Sequence, residues 1–244
     1  MKSRCLKRLV VLPLLLLALF SASLAYGYSY ELFIQPIQVG DQNNHWANSA
    51  RELYQSAMQK IWDQAGIKIT FLPWNSFDSA TYYLLNPDTE FWPLVNGAGH
   101  GQNANPRVIN MFFVHTITGA YGIGAWPGNG IAVADDVFSY PPNGRLDTMA
   151  HETGHNLGLG HDDYGAGGAN NLMTAGGDRS IPATTADIYP DGLDLDQLLQ
   201  AQIARAIAIG TDPNYNFLYP IPLPGTVVLL GSGLGFLIFW RPRR

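Results

Sequence analysis

Apolar residues recur along this chain with two different periods. At Trp46, Ala50, Leu53, Ala57 and Ile61 they take the three-to-four spacing of one helix face, which predicts a helix over 46–63 with Gly66 as its stop. Over 28–39 they alternate with polar residues and predict a first strand. Residues 67–72 predict a second, closed by Pro73. The β-branched and aromatic run at 108–117 predicts the strongest strand of the chain. Residues 74–106, rich in Asn, Gly, Pro and aromatics, have no clear period and read as loop with one short strand or helix at most. Further on, 119–130 reads as a glycine-rich loop, 131–134 as a short strand, 145–157 as a helix interrupted at Gly158, 162–190 as loop, and 193–209 as a final amphipathic helix. That order predicts an α/β (α+β) domain on one mixed twisted sheet, ending near residue 215.

The two ends carry different patterns. Residues 1–25 have a basic start (Lys2, Arg4, Lys7, Arg8), an apolar run, and then Ser23-Leu24-Ala25, which fits a small-x-small cleavage site. This predicts a signal peptide cut after Ala25, with an uncleaved membrane anchor as the alternative. Residues 220–244 hold Pro222-Leu223-Pro224-Gly225, an uncharged stretch from Thr226 to Trp240, and Arg241, Arg243 and Arg244. Its fifteen residues as a helix cover about 22 Å, short of a hydrocarbon core of roughly 30 Å. The arginines are expected on the cytoplasmic side. The expected domain organisation is therefore a leader over 1–25, one folded domain over 26–219 and a separate tail segment over 220–244.

Removing the leader takes away four basic residues and removing the tail takes three. Seven then remain against 19 acidic ones, a net charge of −12. Such a body repels phosphates, which excludes nucleic acid as a partner. Cys5, the single cysteine, lies in the leader, so the core and any bound metal must hold the mature fold without disulfides.

The chemistry concentrates at His151-Glu152-Thr153-Gly154-His155-Asn156-Leu157-Gly158-Leu159-Gly160-His161. Histidines four apart project from nearly the same helix face, about 6 Å apart along the axis, which suits two imidazoles on one zinc ion. A straight helix would swing a third ligand away. Gly158 can adopt the left-handed conformation that turns the chain out, so His161 returns to the metal from another direction. Three neutral imidazoles leave a fourth tetrahedral position for water, the mark of a catalytic site. Glu152, beside the first ligand, is placed as the general base for that water. Shuffling this composition yields a His-Glu-x-x-His somewhere roughly twice in a thousand trials, and the further glycine and histidine lower that to on the order of a few in a million.

The eleven-residue signature resembles that of the metzincin metallopeptidases. Gly154, Asn156 and Leu157, with Asp162 after the third histidine, look most like the adamalysin (reprolysin) branch, without its disulfides. The resemblance implies a catalytic zinc on His151, His155 and His161, Glu152 as catalytic base, and Met173 in a tight turn beneath the metal. It also implies that 108–117 is the upper edge strand, against which peptide substrate pairs antiparallel. Asp162 would tie the following segment to that turn, with a solvated loop acid as the alternative. The tail resembles the PEP-CTERM sorting signal, which an exosortase-like enzyme removes at the bacterial envelope. Leu223 departs from its usual Glu, and a plain tail anchor stays open. With the first strand close behind the leader, no propeptide is expected.

The expectation is an exported zinc endopeptidase, at the envelope or outside the cell and held to the membrane at least transiently by its tail. Two rivals remain: a catalytically silent envelope or matrix-binding protein on the same fold, and a zinc hydrolase of non-peptide amides. His45, His100 and His115 are not needed for the metal. Asp135-Asp136 and Asp162-Asp163 are the residues a calcium ion would use, with solvated acids the plainer reading. Trp126-Pro127 is expected at the cleft rim.

Overall fold

The computed structural model describes residues 27–47, 52–161 and 168–222. The leader, nearly all of the tail, and Asp162-Asp163 lie outside them. Ser29–Pro222 forms one compact unit. Among the described residues no helix is long and apolar enough to cross a membrane.

The elements run β1 Tyr30–Gly40, α1 Glu52–Asp63, β2 Ile67–Phe71, β3 Asn75–Asp78, α2 Ala80–Tyr83, β4 Leu84–Leu85, α3 Phe91–Asn96 and β5 Ile109–Val114. They continue with β6 Thr116–Ile117, β7 Gly122–Gly124, β8 Ile131–Ala134, α4 Asp136–Ser139, α5 Thr148–Asn156, α6 Gln200–Thr211 and β9 Leu218–Pro220. The main sheet has the order β2-β1-β5-β8-β7. Strands β2, β1, β5 and β8 are parallel, while β7 pairs antiparallel with β8. Strand β1 is long enough to take β2 and then β3 along one side, and β9 and then β5 along the other. The fold class is the mixed α/β one expected.

Alternation along the central strands feeds two apolar layers. Ile109, Met111 and Phe113 of β5, with Ile131 and Val133 of β8, join Met58, Ile61, Trp62, Met149 and Leu157 on one face. Phe112, Val114, Ala132 and Ala134 join Leu85, Phe91 and Leu94 on the other. Helix α1 delivers Tyr54, Ala57, Met58, Ile61 and Trp62 to the first layer; of the five residues whose spacing predicted the helix, Ala57 and Ile61 lie on this face.

Several expectations need correction. The helix expected over 46–63 runs Glu52–Asp63 among the described residues, and Trp46, expected on its apolar face, instead bridges to Gly40 of β1. The run 108–117 is not an edge strand: every residue of β5 is buried, because it lies between β1 and β8 with both faces covered. It also breaks at His115, beyond which Thr116–Ile117 joins Leu84–Leu85 in a separate two-stranded sheet. The edge next to the helices is β7, inside the stretch expected to be loop. The final helix starts at Gln200 and not near 193, since Asp194 and Asp196 hold left-handed backbone (φ 53° and 57°) that no helix admits. Leu195 is buried through a bridge to Ile188 instead. Finally, residues 74–106 hold four short elements, β3, α2, β4 and α3, more than the one expected.

Candidate metal centre and cleft

Helix α5 is buried on nearly all sides, so its polar side chains must find partners inside the protein. It ends where the sequence indicated. Gly158 has φ +80°, its N–H donates to His155 O (2.9 Å), and Leu159 N–H donates to Gly154 O (2.9 Å). These two bonds are a Schellman closure, which satisfies the last helix carbonyls and turns the chain out of the axis. The turn brings His161 back to the helix. One ring nitrogen from each of His151, His155 and His161 lies within 4.8 Å of the others, and His151 Nε2 is 3.2 Å from His161 Nε2. Tetrahedral ligands at a metal–nitrogen distance near 2.1 Å stand about 3.4 Å apart, so this donor set fits a zinc ion.

The far side of each ring is also fixed. His155 Nδ1 donates to Leu159 O at 2.8 Å, and His151 Nδ1 to Leu172 O at 2.7 Å. Both bonds turn Nε2 towards the cluster and set the tautomer a metal needs. Burial, then the neighbouring Arg179 and His155, hold His151 well below the ordinary imidazole pKa, which keeps it neutral.

Met173 is fully buried beneath the helix. Its Sδ lies 2.5 Å from where a Cβ on Gly154 would stand, so glycine at 154 is what lets the methionine pack there. The turn is pinned by Asn171, whose Oδ1 accepts from Met173 N (2.9 Å) and whose Nδ2 donates to Gln202 Oε1 on α6 (2.8 Å). Asn156 binds the other flank, donating to Ala125 O and Gly130 O at 2.8 and 3.1 Å.

Glu152 is 6% exposed and faces β7. Burial pushes its carboxyl up to about 8, against the lowering effect of Arg179, Arg145 and the Gly124 N–H that donates to it. A cleft of about 440 Å³ opens here, lined by β7, Trp126, Glu152, His155 and His161. Trp126 is exposed at its rim, as expected.

One group of residues went unnoticed in the sequence. Arg179 lies 2.6 Å from His151 Nδ1, donates to Leu172 O and Thr174 O, and pairs with Asp147 at 2.5 Å. Arg145 and Asp196 complete this buried cluster. These residues share no period or motif, and the segments that carry them meet only in the fold. The other histidines lie elsewhere: His45 contacts Asp41, His100 stacks on Phe77, and His115 stacks on Tyr83 and contacts Asp135. Among the described residues, His151, His155 and His161 form the one cluster of ligating side chains suited to a metal; Asp135 and Asp136 belong to none.

No family model and no curated protein matches the chain. Solved structures do. Mature mirolysin from Tannerella forsythia, in complex with a cleaved peptide, is similar over 75% of this chain and 92% of its own, at 14% identity and a TM-score of 0.50. Mirolysin with compound 9 covers 76% and 94% at 15% identity and 0.47. Archaemetzincin from Archaeoglobus fulgidus, complexed with malonate, covers 72% and 99% at 15% and 0.41. The mixed α/β fold expected from the sequence is the fold found, and it is similar to that of mature mirolysin.

Proposed function

We propose that this chain is an exported zinc-dependent endopeptidase in which His151, His155 and His161 hold the metal and Glu152 is the general base. The observation that carries the reading is the convergence of three imidazole nitrogens beside a buried carboxylate on the floor of an open cleft. Zinc in such a site supplies a Lewis acid and lowers the pKa of a bound water to about 7. The chain supplies the rest. Glu152 takes the proton of the attacking water and hands it to the leaving amine. Gly124 N–H orients that carboxylate. The Leu172 and Leu159 carbonyls hold two of the rings in the binding tautomer. Strand β7, at the end of the sheet and against α5, is the edge on which an extended peptide adds as a further strand.

A peptide substrate is favoured by the fold shared with mirolysin, whose structure holds a cleaved peptide. The adamalysin-like branch rests on the inner signature residues. Export, and sorting of the tail by an exosortase-like enzyme, rest on the two ends of the sequence. A catalytically silent binding protein would have no use for a carboxylate buried at a desolvation cost beside the histidines.

The test is turnover of casein or gelatin by the purified protein. Turnover is expected to stop with a chelator and return with zinc. Turnover indifferent to the chelator overturns the proposal.

A further inference from the structure

Beside the cleft lies a second cavity of about 520 Å³, within the range of ligand pockets. It shares His151, Glu152 and His161 with the metal centre, so whatever fills it sits next to the bond being cut. Four of its lining residues, Gly119, Gly122, Gly176 and Gly177, are glycines and leave it unfilled.

Its distinctive wall is Arg145. This side chain is 5% exposed and packs over the rings of Tyr121 and Tyr140, at 4.8 and 5.5 Å. Its Nη2 donates to Gly176 O at 3.2 Å, but Nε is buried with no hydrogen-bond partner among the described residues. The nearest carboxylate oxygen, Asp147 Oδ1, is 3.9 Å from Nε, while Asp147 Oδ2 is taken by Arg179. Arg179 also spends its donors on Leu172 O and Thr174 O. Asp196, buried against Asp147, has its carboxyl pushed well above the ordinary range by burial and then by Asp147, and so adds little negative charge. Two of the seven cations of residues 26–219 thus meet at one cavity wall, with Asp147 between them.

Arg145 stands at this wall with one hydrogen bond from Nη2 and no carboxylate closer than Asp147, and an entering carboxylate pairs directly with such a guanidinium. An apolar side chain entering here would desolvate that charge without pairing it, and a basic one would face two like charges. Resting on the peptidase reading above, we infer that this cavity takes a carboxylate side chain, so that the enzyme cuts beside Asp or Glu and Arg145 sets that preference.

Cleavage and binding each test this. Cut sites in a denatured protein mixture, and kcat/KM for peptide pairs differing only as Glu or Gln at a flanking position, are read on the zinc-loaded protein. An acidic residue at one flanking position and about a 10-fold or greater advantage of Glu over Gln are expected. Binding of N-acetylglutamate against N-acetylglutamine is read by ligand-observed NMR on the metal-free protein, with the same advantage expected. Arg145→Met should abolish both. Should that variant not fold, Gly176→Asp serves, because a Cβ there would stand 3.4 Å from Arg145 Nη2 and the new carboxylate would occupy the guanidinium. Equal handling of Glu and Gln, or a preference that survives both variants, overturns the inference. If no peptide is cut yet N-acetylglutamate is preferred through Arg145, the cavity assignment stands and the peptidase reading falls.

Discussion

Gly124 donates its N–H to the Glu152 carboxylate and lies so close to α5 that a Cβ on it would stand 2.6 Å from the Glu152 carbonyl oxygen. Gly122 is as tight, with a virtual Cβ 2.8 Å from Glu152 Cγ and Oε1. The edge strand can therefore lie on the helix only because it lacks side chains at these two positions. Gly124→Ala is expected to push β7 off α5, lowering kcat/KM about 10- to 100-fold and stability by about 1–3 kcal/mol. Peptidase assays and thermal melts check both. Unchanged activity in this variant would dissociate β7 from the site.

Replacing any one of His151, His155 and His161 by Ala should bring zinc well below one per chain, since each supplies one of three protein ligands. Elemental analysis reads this directly. Glu152→Gln should keep its zinc, because the carboxylate is not needed as a ligand.

The metal-free protein should carry a pH signature of Glu152. Its carboxyl is pushed from an ordinary 4.5 up to about 8 by burial, so the folded state holds the proton more tightly than the unfolded chain does. That stabilisation is full below the unfolded pKa and is lost as pH rises through the folded one. Between pH 5.5 and 8 the chelated wild type should therefore lose Tm relative to Glu152→Gln. Asp196 shifts in the same direction but contributes to both proteins alike. Parallel melting curves would contradict the assignment.

Met173 fills the space under Gly154 and is fully buried. Met173→Ala should cost about 2–5 kcal/mol, while Met173→Leu should cost less than about 1.5 kcal/mol. Chemical denaturation of the two variants distinguishes this packing role from a chemical role for sulfur, which Leu would not rescue.

How much of this was legible in the sequence follows from how local each signal is. The paired histidines on α5 and the turn at Gly158 are set by residues within four or five positions of one another, and each appears where its spacing put it; the α1 face does so at Ala57 and Ile61, whereas Trp46 belongs to a bridge with β1. The centre of the sheet was legible too, but its edge was not. An apolar run such as 109–114 indicates burial on both faces and so an interior strand, whereas the true edge, Gly122–Gly124, has no apolar pattern because closeness to α5 demands glycine. The Arg145–Asp147–Arg179 cluster was illegible for a further reason. Asp147 and Arg179 are 32 residues apart and meet only once the Met173 turn has folded under α5.

The most direct test of the central claim is the rate of peptide hydrolysis by zinc-loaded Glu152→Ala beside wild type at equal zinc content. Loss of the general base should lower kcat by about 10²- to 10⁴-fold. Equal rates would contradict the account, because the metal would then be working without the carboxylate that the fold holds beside it.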